Sequence, residues 1–296
     1  MVPVLLDTDI GSDIDDALAL SLLLKEPCCR LLGITTVTGE PHHRASLASA
    51  ISRAFGRGDI PVHVGAAEPW LIPQRQPHVP QFAALRKGAS YATYHTRNTA
   101  VEFLQSTIRA HPHEITLIAI GPLTNIGLLF ATDPEIPPLL NRLVLMGGCW
   151  FQSPGAPPTV EWNILCDPHA AARVFAAPGL RIEAAGLDVT TQVKLAGDTC
   201  TERLRGLGHH LELVADMTDI WCGGSRLEVT FHDPLAAALP FHNGLCTMET
   251  GSAVVELCGA FPGKTDLRAD QAGTCSVART VDAQRFLDLY WKALAA

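Results

Sequence analysis

Basic residues are scarce in this chain. It carries 22 lysines and arginines against 30 aspartates and glutamates, a net charge of -8 with histidine neutral. No basic stripe is present to neutralise phosphates, which argues against nucleic acid as a partner. The one His-rich spot, Pro41-His42-His43-Arg44, reads as a helix start rather than a patch. Cysteine motifs are missing too. The nine cysteines are an odd number, none is spaced as CxxC, and the adjacent pair Cys28-Cys29 is poorly placed for a zinc site. Most of the others sit in apolar surroundings, as Cys258 does in VVELCGA, so they read as reduced, buried residues of a cytoplasmic protein. No window is long and apolar enough for a membrane span. The first apolar stretch breaks at Asp7 with no basic residue before it, unlike a signal peptide.

What is present suits a globular protein with a large core. Of 296 residues, 47% are hydrophobic and 18% charged. With no internal repeat and no low-complexity linker, a single domain over 1–296 is the simplest account. Apolar runs alternate with helical patterns. Strands are expected at residues 2–6, 30–37, 61–65, 114–120, 142–146 and from 181 towards 189. Helices are expected at 16–25, 44–55, 124–130 and 167–176, the last with Asp167 as N-cap and Pro168 at its first position. Residues 200–223 and 233–239 look helical, and SAVVELCGAF, TCSVARTV and DAQRFLDLYWKAL suggest two further strands and a closing helix. Near-continuous apolar strands alternating with helices indicate an α/β fold, an open and mostly parallel sheet flanked by helices. Residues 68–99, rich in Pro, Gln and His, read as a long functional loop or a lid.

In such a sheet, ligands bind beyond the carboxyl ends of the strands. The polar groups fall there. The first strand runs into DTDIGSDIDD, five aspartates in ten residues: Asp7, Asp9, Asp13, Asp15 and Asp16. Helix capping and the helix dipole account for one or two of them. A calcium or magnesium site accounts for more, because a hard cation takes several carboxylate oxygens and removes their repulsion. A carboxylate pair sharing a proton is the third reading. The metal site explains the crowding best, though the spacing is not that of an EF-hand. Downstream, Asp233-Pro234 in FHDPL looks like another N-cap with proline at N1, and His232 adds a possible proton donor. In VEWNI, Glu161 and Asn163 point the same way if the segment is extended, a pair suited to sugar hydroxyls; a surface strand is the plain alternative.

Taken together, these residues resemble the nucleoside hydrolases of the inosine–uridine-preferring type. The motifs that carry the resemblance are the N-terminal aspartates, GPLTNI at 121–126, Met146-Gly147-Gly148, Glu161-Trp162-Asn163 followed by Asp167-Pro168, LDVT at 187–190 and His232-Asp233-Pro234-Leu235, in the family's order over nearly the whole chain. The resemblance implies hydrolysis of the N-glycosidic bond of ribonucleosides to ribose and free base, within nucleoside catabolism or purine and pyrimidine salvage. It also implies a tightly bound Ca2+ and an assembly of two or four copies. By match to the family's motifs, Asp9, Asp16 and Asp233 would ligate calcium through side chains and Thr124 through its main-chain carbonyl. Asp9 would also be the general base. Asp15, Glu161 and Asn163 would hold ribose hydroxyls, Met146 would lie near the sugar, and His232 would lie by the leaving base.

Three departures from the family pattern stand out. The aspartate motif is two residues longer, which leaves Asp13 without a place. Glu40 stands in the substrate region where many members carry Asn, and Gly155 stands where an Asn commonly holds the ribose 5′-hydroxyl. Base-side candidates are His95, Trp221 and Arg226, with Tyr91 and Tyr94 also possible, although a lone aromatic is more often core packing. Two other functions compete: a nucleoside-binding sensor with little turnover, and a phosphatase of the strand-plus-DxD type, which would leave HDPL unexplained.

Overall fold

The computed structural model describes residues 1–85, 90–152, 157–223, 228–270 and 273–296. In chain order the strands are β1 Val2–Thr8, β2 Cys29–Thr36, β3 Val62–Val64, β4 Thr116–Ala119, β5 Arg142–Met146, β6 Ile182–Ala185, β7 Lys194–Ala196, β8 Glu228–Thr230, β9 Cys246–Val255, β10 Thr265–Ala269 and β11 Cys275–Val281. The helices are α1 Asp15–Lys25, α2 Pro41–Ala54, α3 Ala100–Ala110, α4 Thr124–Thr132, α5 Trp162–Cys166, α6 Pro168–Phe175, α7 Leu187–Thr190, α8 Gly197–Gly206, α9 Glu212–Cys222, α10 His232–Ala238 and α11 Ala283–Ala295.

The central sheet has the order β10-β9-β11-β6-β5-β4-β1-β2-β3. From β11 to β3 every neighbour is parallel, and β9 runs antiparallel to both β11 and β10. The apolar runs have a direct cause. Successive strand side chains point to opposite faces, and both faces here are covered. Val4 and Leu6 pack into one core with α1, α2, α10 and α11, whereas Leu5 packs into the other with α3, α4 and α6. The alternation repeats in β5, where Val144 and Met146 face the first core and Leu143 and Leu145 the second.

Several sequence expectations need correction. Helix α3 was not expected, although Ala100, Leu104 and Ile108 are its buried residues at helical spacing. Residues 161–163 are not extended: Glu161 caps α5 and Trp162 begins it. The stretch after β6 turns into α7 instead of continuing the strand. Residues 200–223 are two helices, separated near Gly208, which has φ +127°. At the end of the chain, β10 is an additional strand, pairing with β9. Cys258 is exposed between β9 and β10, and Cys28 is exposed as well, while Cys166, Cys200 and Cys275 are buried. Asp167 does cap α6, accepting from the Ala170 N–H. Asp233 is not a cap: Phe231 holds that position, and Asp233 lies in the first turn of α10 with its carboxylate turned to other use. Among the described residues, no helix is long and apolar enough to cross a membrane.

Candidate active site

A cavity of about 570 Å³ opens at the carboxyl ends of the parallel strands, within the usual size range for small-molecule sites. Its acidic floor comes from the loop after β1 and from two helix starts. Helices α1 and α10 pack against each other, which brings the first-turn residues Asp15, Asp16 and Asp233 together. Carboxylate oxygens of these three lie within 4.8 Å of one another, and all three side chains are buried. The Asp233 backbone N–H donates to Asp15 Oδ2 at 3.3 Å. Thr8, the last residue of β1, donates its hydroxyl to Asp16 Oδ1 at 2.5 Å. Asp9 lines the same cavity and is buried.

Burial sets the electrostatics. It pushes the carboxyls of Asp15, Asp16 and Asp233 well above the usual range, and repulsion from neighbouring aspartates, Asp9 and Asp13 included, adds to it. Burial raises Asp9 as well, opposed by the nearby Arg44 charge and by a Gln76 hydrogen bond. Arg44, fully buried, is the cation beneath this floor. Its Nε donates to the Thr38 carbonyl at 2.9 Å and its Nη1 to the carbonyls of Asp9 and Ile10 and to Ser12 Oγ. Those bonds brace the aspartate loop, and among the described residues no guanidinium bonds directly to the carboxylates of Asp9, Asp15, Asp16 or Asp233. An all-oxygen set of crowded, buried carboxylates fits a hard divalent cation.

Asp7 supports the floor from within the sheet. Its cross-strand neighbour Thr35 donates to Oδ1 at 2.5 Å, and Asn125 Nδ2 donates to the same oxygen at 2.8 Å. Oδ2 has no partner among the described residues, and burial pushes this carboxyl up to about 7. Gly121 must be glycine on steric grounds. A Cβ there would meet Asp9 Oδ1 at 2.8 Å and the Asp9 nitrogen at 2.9 Å.

The opposite wall is the α5 start with β5. Glu161 Oε1 accepts from the Asn163 N–H at 2.8 Å, and Oε2 accepts from Gly148 and Ile164 N–H groups at 3.1 Å each. Three main-chain bonds thus hold a buried carboxylate in the cavity wall. The Asn163 amide N–H groups face the carbonyls of Ile120 at 2.9 Å and Met146 at 3.3 Å. Its Oδ1 is therefore the atom it can offer as an acceptor. Met146 lines the cavity beside it. At the far side, His232 Nδ1 sits 2.7 Å from Thr190 Oγ1, and burial pushes its imidazole down to about 4.

The cavity therefore gathers Asp9, Asp15, Asp16, Met146, Glu161, Asn163, Trp221, His232 and Asp233 from the sequence expectations, together with the unplaced Asp13. Others fall elsewhere. Thr124 is buried at the start of α4 and donates its hydroxyl to Asp167 Oδ2 at 2.8 Å, without lining the cavity. Glu40 lies outside the lining, with its carboxylate 3.6 Å from His43 Nδ1. His95 is exposed on the irregular segment before α3 and is not in the lining. Arg226 and Gly155 lie outside the described residues. Gln76, which no motif singled out, also lines the cavity, as do Ser12 and Trp162, which lay inside quoted motifs without a role of their own. Gln76 Nε2 donates to Asp9 Oδ2 at 2.6 Å and to Ser12 Oγ at 2.9 Å, and its Oε1 accepts from Trp162 Nε1. Only the irregularity of residues 68–99 signalled that this segment supplies part of the site.

Comparison with known proteins places nearly the whole chain in one family. Residues 4–288 match the family model of the inosine-uridine preferring nucleoside hydrolase. The chain is 33% identical to the non-specific ribonucleoside hydrolase RihC of Salmonella paratyphi B, over 96% of this chain and 94% of that protein. It is 31% identical to a probable uridine nucleosidase 2 of Oryza sativa subsp. japonica, over 96% and 90% respectively. Among solved structures, the purine-preferring ribonucleoside hydrolase from Gardnerella vaginalis superimposes with a TM-score of 0.84 at 27% identity, covering 99% of this chain and 98% of that one.

Proposed function

The chain belongs to the inosine-uridine preferring nucleoside hydrolases, N-ribosyl hydrolases, and on that premise we propose that it cleaves ribonucleosides to ribose and free base with a calcium ion held by its buried aspartates. The observation that carries this reading is the meeting of the Asp15, Asp16 and Asp233 carboxylates beside Asp9 in one cavity. Asp16, Asp233 and Asp9, with the main-chain carbonyl of Thr124, would hold the ion. When bound, such an ion supplies positive charge that offsets the carboxylates and a rigid seat for hydroxyl oxygens.

The chain's own groups perform the rest. Asp9 takes the proton of the attacking water. Asn163 Oδ1 accepts a ribose hydroxyl, and Met146 packs against the sugar. Cleavage of this bond builds positive charge on the ring. The fixed carboxylates of Glu161 and Asp15 face that charge where it develops. His232 is neutral at physiological pH because burial depresses its imidazole. With Nδ1 accepting the Thr190 hydroxyl proton, Nε2–H is the donor offered to the leaving base. Trp221 forms the base-side wall. Glu40 drops out of the substrate set, because its carboxylate pairs with His43 outside the cavity lining.

A cytoplasmic homodimer or homotetramer is the expected setting, which sedimentation and cell fractionation would measure. The enzymatic reading is tested by a reducing-sugar assay over purine and pyrimidine ribonucleosides, with and without a chelator. Base release that stops on chelation and returns with calcium supports it. Tight nucleoside binding without base release would make the protein a sensor.

A further inference from the structure

We infer that Gln76 is a positioning residue for Asp9, locked in its working orientation by Trp162. The inference rests on the proposed role of Asp9 as the base and extends it to two residues that the nucleoside hydrolase resemblance leaves without a role. An indole N–H is donor only, so the Gln76 atom that faces Trp162 Nε1 must be Oε1. That fixes the amide: the NH2 group is turned to Asp9 Oδ2 at 2.6 Å and Ser12 Oγ at 2.9 Å. A free carboxamide can rotate and present either end, but this one cannot without facing a carbonyl oxygen to the carboxylate. Gln76 is itself buried, 8% exposed, and its backbone N–H donates to Gln74 Oε1 at 2.8 Å. Ser12 is tied from below by Arg44 Nη1 at 3.0 Å.

The consequences follow from which atoms are occupied. Asp9 Oδ2 holds a fixed donor, which restrains the carboxylate, while Oδ1 lies against Gly121 and is the oxygen left for the base role proposed above. The same bridge ties the segment before α3 to the start of α5, both in the cavity lining.

The test uses steady-state kinetics of the full-length protein with its best nucleoside. Gln76→Ala is expected to lower kcat by about 10- to 100-fold, the range for removing a group that orients a reacting residue, with KM within about threefold. Gln76→Glu is the decisive variant. It keeps the size and the acceptor for the indole but loses the donor, so it should fall below Gln76→Ala. A purely space-filling role predicts the reverse order, and that order would overturn the inference. Should Gln76→Ala fail to fold, Gln76→Met fills the same space without the donor and takes its place. Trp162→Phe should lower kcat less, and the double variant with Gln76→Ala should match Gln76→Ala alone; additive losses overturn the relay. Failure of the base assignment shows separately. If the wild type releases base and Asp9→Asn does not, while Gln76→Ala equals wild type, only this inference fails. A wild type that cleaves no nucleoside overturns both.

Discussion

The two ends of the central strands handle charge in opposite ways. Near the start of β5 and β6, Arg142 Nη1 donates to both Glu183 oxygens at 3.0 Å, and Arg181 Nη2 donates to Oε1 at 2.7 Å. Two guanidiniums there settle one carboxylate, and Arg142 also reaches the Pro240 carbonyl at 3.2 Å. At the far end, Asp9, Asp15, Asp16 and Asp233 have, among the described residues, one buried guanidinium beside them, that of Arg44, which bonds to carbonyls and to Ser12. The first end has its carboxylate paired without a ligand, though Arg142 Nε finds no partner among the described residues. The second end does not: its carboxyls are pushed upward by burial and by one another, which a bound cation would reverse. Acidic residues alone do not mark a site. An unbalanced set in a cavity does.

The largest expected effect lies on the unbalanced end. Asp9→Asn keeps the side chain's size but removes the base, and kcat should fall by about 10²–10⁴-fold. Far-ultraviolet circular dichroism should remain that of the wild type. An Asp9→Asn protein that turns over ordinary nucleosides at a comparable rate removes the base assignment.

Next is the division of labour among the acids. Asp16→Asn and Asp233→Asn should each weaken calcium binding about tenfold or more in titration calorimetry, since affinity tracks the number of charged ligands. Asp15 decides between two arrangements. The family pattern sets it on the ribose, whereas the geometry places its carboxylate within 4.8 Å of the other two. A ribose role predicts a raised KM with calcium affinity nearly unchanged; a ligand role predicts calcium loss like that of Asp16→Asn.

Breaking the balanced end should do the reverse. Glu183→Gln removes a charge that three arginine bonds were built around, which should lower stability by about 1–3 kcal/mol. Urea denaturation measures this. Its kcat should stay within about twofold of wild type, because Glu183 is outside the cavity lining. A large kcat loss would mean the two ends are coupled.

Much of this contrast was legible in the sequence. Buried parallel strands announce themselves as apolar runs, and the residues at their ends follow at once, so Asp9 and Met146 were placeable from one pass, whereas Asp16, in the first turn of α1, was placed through the family motif. Asp167-Pro168 gave a helix start because capping is local chemistry. What stayed hidden depends on distance in the chain. Gln76 meets Asp9 across 67 positions, and nothing in IPQRQPH distinguishes that glutamine from its neighbour Gln74. Pro41-His42-His43-Arg44 read as a helix start, which it is, but nothing there signalled that the Arg44 guanidinium turns inward to main-chain carbonyls. Glu161 and Asn163 were found for the wrong geometry: a helix start, not a strand, presents them. The amphipathic α3 was missed although its spacing was there to read.

Asp7 sits between the two regimes and offers the smallest and most specific test. It has two donors on Oδ1, none on Oδ2 among the described residues, and no place in the cavity lining. Burial lifts it from an ordinary 3.8 to about 7 in the folded chain. Between those values the folded state retains a proton that the unfolded state has released. Stability is therefore fully supported below about pH 4, declines as pH rises towards 7, and levels off above it. Asp7→Asn cannot titrate, and its Oδ1 can still accept from Thr35 and Asn125. Compared with wild type by urea denaturation at several pH values from 5 to 8, the variant should lose less stability as pH rises. The difference between the two proteins isolates Asp7 from the other acids. Equal slopes would show that Asp7 is ionised throughout, its charge already balanced as Glu183's is.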